Sequence, residues 1–218
     1  MGCGSQAVSR VVMTASRQVR KRKALTAPHK ANHPIALMPN SVDSCMLQIT
    51  PMTLADIPAI LEIEQSSHVQ AWNKGFFEEE LSRPQSHTYV ARLTGVDEQT
   101  RIVGYICFWI VADEIQILNI AVHLAHRRRG VGKALLLHAL EVGYAHKARV
   151  ALLEVRRGNE AAQRLYQTLG FKPTGERKGY YGGLRDPAVL MELEMDRKWR
   201  SLWYSAVEAP PLAERARS

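Results

Sequence analysis

The sequence predicts a mixed α/β fold: a largely antiparallel sheet flanked by helices, with one parallel strand-helix-strand unit set into it. Three observations lead there. From Met46 onward the apolar residues alternate between stretches with a period of two and stretches with a period near 3.6, the signatures of half-buried strands and amphipathic helices. Three strand-like runs, Thr88 to Leu93, Ile102 to Ile110 and Ile115 to Val122, follow one another across the turn-rich connections "TGVDEQT" and "VADE", so an antiparallel meander is expected. The last run then leads through an apolar helix into the strand Val150 to Val155. A crossover of that kind returns the chain in the same direction, which makes the two strands parallel.

Taken in order, Leu47 to Thr50 is a short strand. Leu54 to Gln65 carries Leu54, Ile57, Ile60, Leu61 and Ile63 on a helical face. Thr53 and Asp56 mark its start, because side-chain oxygens there accept N–H groups that have no intrahelical partner. Asn73 caps a second helix, Lys74 to Leu81, which ends before Pro84, since proline disfavours the helical conformation in the residue ahead of it. After the meander come the amphipathic helix Val131 to His146, the strand Val150 to Val155, and a helix Ala161 to Leu169 with Asn159 near its start. Two last strands are expected near Lys172 to Tyr180 and at Ala188 to Glu194.

The 218 residues, 46% of them hydrophobic, suffice for one domain of ordinary size with appended material. The longest apolar candidate, Ile102 to Ala125, is split by Asp113 and Glu114, short of the roughly 18 uninterrupted residues a membrane helix needs, so no membrane partner is expected. Cys3, Cys45 and Cys107 have no metal-ligand spacing and form no even set; neither a disulfide framework nor a zinc site is indicated, and the reducing cytoplasm is the expected compartment. His68, His123 and His126 likewise follow no metal pattern. The formal net charge of +8 is concentrated at the start, where residues 1–45 hold Arg10, Arg17, Arg20, Lys21, Arg22, Lys23 and Lys30 against Asp43 alone. That segment keeps no regular period and reads as a tail. It is a basic arm reaching nucleic acid or the ribosome, an organelle transit peptide, or an upstream start preceding a natural one at Met46. Gln6 in "MGCGSQ" stands where a myristoylation pattern needs Ser or Thr. The domain is expected over 46–195, and 196–218, with Trp199 and Trp203, forms a C-terminal tail.

The stretch "HRRRGVGKALLLHALE" places cations and two glycines immediately before an apolar helix. N–H groups of a first helical turn have no intrahelical acceptors, and the helix dipole adds about half a positive charge there. Gly130 and Gly132 remove side chains that would hold a pyrophosphate away from the main chain, while Arg128, Arg129 and Lys133 surround it with charge. The spacing Arg127-x-x-Gly130-x-Gly132 is neither a Walker loop nor a dinucleotide fingerprint.

"ILNIAVHLAHRRRGVGKALLLHALE", followed by "LLEVRRGNEAAQRLYQTLGFKPTGERKGYY", resembles the acetyl-CoA-binding core of the GNAT superfamily, and specifically its RimI-type ribosomal-protein-alanine N-acetyltransferases. The resemblance covers Leu47 to Glu194. It implies the GNAT acyl-CoA N-acyltransferase fold and acetyl-CoA as cosubstrate. Main-chain amides from Arg128 through Gly130, Val131 and Gly132 to Lys133 would wrap the cofactor pyrophosphate, and the strand edge at Ile120, Ala121 and Val122 would hydrogen-bond the pantetheine arm. It also implies a protein N-terminus as acceptor: the amino-terminal alanine of small-subunit ribosomal protein eighteen.

Transfer of an acetyl group from a thioester to an amine requires a neutral amine, a stabilised oxyanion and a proton for the departing thiolate. Glu154, at the end of the apolar strand "VALLEV", is the candidate base, against a purely structural pairing with Arg156 or a neighbouring strand. Tyr166 matches the tyrosine that the resembling enzymes use as general acid, against a role as a core aromatic beside Leu165 and Leu169. Asn159 is a helix cap by its position, and by the resemblance also a cofactor ligand. On the acceptor side, Trp72 in "HVQAWNKGFF" matches the tryptophan of the RimI-type substrate loop, although Ala71 stands where those enzymes commonly have proline. Tyr180 and Tyr181 in "RKGYY" would cover the peptide entrance, against ordinary strand packing. Cys107 lies mid-strand, far from the transfer motifs, which favours direct attack in a ternary complex. Two other readings are a GNAT enzyme acting on protein lysine or a small amine, and a non-catalytic ribosome- or RNA-binding module anchored by "RQVRKRK".

Overall fold

The computed structural model describes residues 46–67, 71–177, 187–196 and Trp199. Its strands are β1 (Met46–Pro51), β2 (Ser86–Thr94), β3 (Thr100–Val111), β4 (Glu114–Val122), β5 (Val150–Arg156), β6 (Lys172–Arg177) and β7 (Ala188–Glu194). Its helices are α1 (Ile57–Ser67), α2 (Lys74–Ser82), α3 (Val131–Ala145) and α4 (Glu160–Thr168). The strands form one sheet in the order β1-β2-β3-β4-β5-β7-β6. Only β4 and β5 pair in parallel, across α3, and every other neighbouring pair is antiparallel. Both the expected meander and the expected crossover are present.

Alternate residues of the sheet feed two apolar layers. Val90, Tyr105 and Ala121 pack with Ile57, Ile60 and Ile63 of α1 and Phe77 of α2. Ala91, Ile106 and Phe108 pack with Leu135, Leu136 and Leu140 of α3 and with Tyr166 of α4. The β3–β4 connection is a two-residue turn closed by the pair Val111 and Glu114. Ala112 accepts a φ of 56° there, because only turns with left-handed residues match the twist of the strands they join.

The first helix departs from the sequence reading at both ends. Leu54–Asp56 forms a 3₁₀ turn, and the α-helix proper begins at Ile57 and runs to Ser67. Pro58 is the reason: without an N–H it cannot take Leu54 O as an i+4 partner, and that carbonyl accepts from Ile57 N–H instead. The expected start signals both operate, since Asp56 Oδ2 accepts from Thr53 N at 2.9 Å and from Thr53 Oγ1 at 3.0 Å. Asn73 caps α2 by accepting from Phe76 N at 3.1 Å.

The 1–45 tail lies outside the described residues, as does most of 196–218. Trp199, assigned to the C-terminal tail, packs against the Tyr144 ring of α3 at 6.1 Å. Among the described residues no helix is long and apolar enough to cross a membrane, and no group of three or more His, Cys, Asp or Glu side chains could hold a metal ion.

Candidate active site

The site begins with a bulge. Opposite β3, Phe108 pairs with Ile117 and Cys107 with Asn119, so Leu118 is an extra residue in β4. An inserted residue shifts the side-chain alternation by one. Ile115 and Ile117 therefore face α3, whereas beyond the bulge Ala121 faces α1 and Ile120 and Val122 take the α3 side. At the same point β4 parts from β5: their pairing ends at Ile117 and Leu153. From Leu118 to Val122 the edge of β4 towards β5 has no strand partner among the described residues, and a wedge opens between the two.

His123 N donates to Val103 O on β3 at 2.9 Å. Because successive peptide groups of a strand alternate in direction, the main chain of Ala121 also points to β3, while those of Ile120 and Val122 face the wedge. Of the three residues expected along that edge, Ile120 and Val122 turn their peptide groups into the wedge. Ala121 contributes its small, 5% exposed side chain to the wall instead. One group on that edge is already engaged, since Val122 O accepts from Arg127 Nε at 3.0 Å. Arg127 also donates to Ser67 Oγ at the end of α1 at 3.0 Å. The first arginine of the motif thus braces the loop rather than lining an anion seat.

At the mouth of the wedge the loop turns into α3. Gly130 is the N-cap residue, with φ 82° and ψ −6°, a left-handed conformation that costs a residue with a Cβ about 1–2 kcal/mol. Arg128 before it also has positive φ, at 63°. The first intrahelical bond runs from Ala134 N to Gly130 O at 2.9 Å, so the N–H groups of Val131, Gly132 and Lys133 precede any intrahelical acceptor and are open to an anion. Arg128, Arg129 and Lys133 are exposed around them. His126, in the same loop, has its imidazole pKa held down, first by burial and then by Arg129, His123 and Arg101; the loop is an electropositive place. A methyl group on Gly132 would lie 3.5 Å from Leu165 Cδ2 and 3.6 Å from Val122 Cγ2. The end of β4, the start of α3 and the helix α4 therefore converge on one residue.

On the other wall of the wedge, Glu154 stands in β5 one residue past the last β4 pair. Its carboxylate pairs with Arg177 Nη2 of β6 at 2.8 Å, across the intervening strand β7. Tyr166 of α4 is buried, with its ring 5.9 Å from that of Phe171. It is a core aromatic, on the helix whose Leu165 reaches Gly132. Asn159 caps α4, its Oδ1 accepting from Ala162 N at 3.2 Å. The cap uses the oxygen and leaves the amide N–H₂ available to a ligand.

The loop expected to meet the acceptor is held by a residue that sequence reasoning passed over. Glu64 of α1 is fully buried, and donors that reach it among the described residues include Trp72 N at 2.8 Å, Asn119 Nδ2 at 3.2 Å and the Tyr105 hydroxyl. Burial and the neighbouring Glu64 carboxylate push the Tyr105 phenol well above its ordinary pKa, so it stays a donor. The Trp72 ring packs on Phe77 at 5.5 Å and Phe76 at 6.0 Å. A signal was present: Glu64 continues the α1 stripe at four residues from Ile60 and seven from Ile57, a position where an acid needs partners. Tyr180 and Tyr181 lie outside the described residues.

Residues 57–171 match the Acetyltransferase (GNAT) family. A Bacillus subtilis (strain 168) protein is 38% identical over 141 residues, covering 64% of this chain and 90% of its own length. The [ribosomal protein bS18]-alanine N-acetyltransferase of Escherichia coli (strain K12) is 32% identical over 151 residues, 68% of this chain and 97% of that protein. The crystal structure of the ribosomal-protein-S18-alanine N-acetyltransferase from Escherichia coli superposes with a TM-score of 0.60 at 30% identity, covering 69% of this chain and 95% of that one. With the matched segment spanning the bulged β4, the glycine-led start of α3 and the helix α4, the chain belongs to the GNAT acetyltransferase family, in its RimI-type branch.

Proposed function

We propose that this chain transfers the acetyl group of acetyl-CoA to the α-amino group of a protein N-terminus, the amino-terminal alanine of ribosomal protein bS18. The observation that carries the reading is the wedge between β4 and β5 facing the glycine-led start of α3: an open strand edge for an extended amide-bearing arm, ending at N–H groups suited to a pyrophosphate. The acceptor is supported by the Escherichia coli relative, which is matched over nearly its whole length. The catalytic domain under this reading spans 46–195, and a ribosomal-protein substrate puts the reaction in the cytoplasm.

In this scheme Arg128, Arg129 and Lys133, with the amides of Gly130 to Lys133, hold the diphosphate. Ile120 and Val122 bond the pantetheine amides, and the Asn159 amide N–H₂ supports the same arm. An α-amine has an ordinary pKa of about 7.7–8.0 and arrives largely protonated near neutral pH. Glu154 accepts that proton, directly or through one water, with Arg177 holding the carboxylate in place. The neutral amine attacks the thioester carbonyl carbon, the C–N bond forms, and the tetrahedral oxyanion collapses with cleavage of the C–S bond. Tyr166 gives its phenolic proton to the thiolate, and the surplus proton on the newly acylated nitrogen passes through water to the phenolate, yielding coenzyme A and the acetylated peptide. Trp72, Tyr180 and Tyr181 border the peptide path.

The test is to incubate the full chain and acetyl-CoA with peptides beginning in alanine, serine and methionine, with an α-blocked lysine peptide, and with small amines, reading free thiol and product mass. Modification of the alanine α-amine at the highest kcat/KM is the expected result. Preferential modification of the lysine side chain or a small amine overturns the acceptor assignment, and absence of thiol release with every acceptor overturns catalysis.

A further inference from the structure

We infer that Glu64 is a positioning residue: its buried carboxylate ties the acceptor-side loop to the donor-side strand and thereby sets the distance between incoming amine and thioester. The inference rests on the reading above, because it concerns how the two substrates of that reaction are brought into register.

Trp72, Asn119 and Tyr105, which all donate to Glu64, come from three separate parts of the site. Trp72 N belongs to the segment between α1 and α2, on the side assigned to the peptide. Asn119 is the first residue after the β4 bulge, next to Ile120, whose peptide group faces the wedge. Tyr105 sits on β3 directly opposite Ala121, and its ring packs edge-on against Phe77 of α2 at 5.4 Å. One carboxylate thus links the loop that would carry the acceptor to the strand that would carry the donor, with Tyr105 bracing both.

An aliphatic side chain at position 64 would continue the stripe of Ile57 and Ile60 without the desolvation penalty of a buried acid, but it could not hold the Trp72 amide or the Asn119 carboxamide. Three converging donors call for an acceptor with several lone pairs, which a carboxylate supplies. Glutamine can reproduce the arrangement: its oxygen takes the Trp72 and Asn119 donors, and its N–H₂ donates to a turned Tyr105 hydroxyl. Alanine cannot. A misplacement of reacting groups by about 1 Å can cost roughly 10²-fold in rate, so the loss should appear in turnover and in the peptide KM rather than in cofactor affinity, which the distant α3 seat governs.

The experiment compares wild type, E64A, E64Q and N119A as full-length chains, with steady-state kinetics on an alanine-starting peptide, calorimetric titration with coenzyme A, and thermal unfolding to correct for the folded fraction. Folded E64A should lose roughly 10- to 100-fold in kcat/KM for the peptide while coenzyme A binding stays within about threefold, and E64Q should recover to within about fivefold of wild type. N119A, which cuts the strand link and spares the Trp72 link, should lower kcat with the peptide KM little changed; it carries the test if E64A does not fold. Wild-type kinetics in folded E64A or N119A overturn the inference, as does a loss in E64A fully accounted for by its folded fraction. A wild-type enzyme that acetylates no α-amine overturns the functional reading and takes this inference with it, a result distinct from either of those.

Discussion

Replacing Gly130 with alanine adds one methyl group at a residue with φ 82° and ψ −6°. Holding alanine in that left-handed conformation costs about 1–2 kcal/mol, and alanine is also a poor N-cap residue. For a domain of about 150 residues, each kcal/mol lowers Tm by roughly 2–4 °C, so a fall of about 2–8 °C is expected. The effect on ligand should be larger in proportion. If φ relaxes towards negative values, the Val131, Gly132 and Lys133 amides, which precede the first intrahelical bond from Ala134 N, change their aim together. One lost charge-assisted hydrogen bond is worth about 1.5–3 kcal/mol, so coenzyme A should bind roughly 10- to 150-fold more weakly. Gly175→Ala on β6 is the control: its added methyl meets Leu190 Cδ1 at an ordinary 3.5 Å and its φ is not positive, so neither Tm nor affinity should move. Calorimetric titration with coenzyme A beside a thermal melt reads both effects. Folded Gly130→Ala that binds coenzyme A within about threefold of wild type would refute the claim that the left-handed cap shapes the seat.

Tyr166→Phe keeps the buried ring against Phe171 and should cost only about 1 kcal/mol of stability, yet lower kcat roughly 10²- to 10⁴-fold without altering acetyl-CoA affinity; unchanged turnover would remove Tyr166 from proton transfer. His87, stacked on Phe108 at 5.4 Å, has its pKa lowered from 6.5 to about 4, by burial first and by nearby His146 second. A group whose folded pKa lies below its unfolded value leaves the unfolded chain binding more protons between the two, so its contribution is intact above pH 6.5 and is lost as pH falls towards about 4. His87→Phe should therefore lose less stability than wild type between about pH 7 and about pH 5 in urea titrations; parallel losses in the two proteins would show that His87 does not titrate in this way.

Much of the architecture was legible because local signals and tertiary packing agree. The caps at Thr53, Asn73 and Asn159 act where their residue types indicated, and the period-two strands and the crossover helix took their expected places. What escaped reading is what depends on long-range pairing. The extra residue at Leu118 has no sequence mark, since a bulge is a relation between β3 and β4 and not a property of either. It is nevertheless what faces Asn119 towards Glu64. The Glu154 partner, Arg177, lies beyond an intervening strand, because β7 inserts between β5 and β6 in the sheet. Arg127 looked like part of a uniform cationic run, but its Val122 and Ser67 contacts set it apart from its neighbours. Pro58, visible from the start, was not weighed against the carbonyl of Leu54 that it leaves to Ile57.

The surplus residue in β4 also constrains how this protein can change over generations. Losing Leu118 would restore unbroken alternation, leaving Ala121 on the α1 side and Val122 on the α3 side, but it would remove the irregularity at which β4 turns away from β5. A strand one codon shorter would thus keep its packing and lose its opening. The acceptor loops are free to drift in length and the donor strand is not, so descendants with new acceptors should vary around a segment of fixed count.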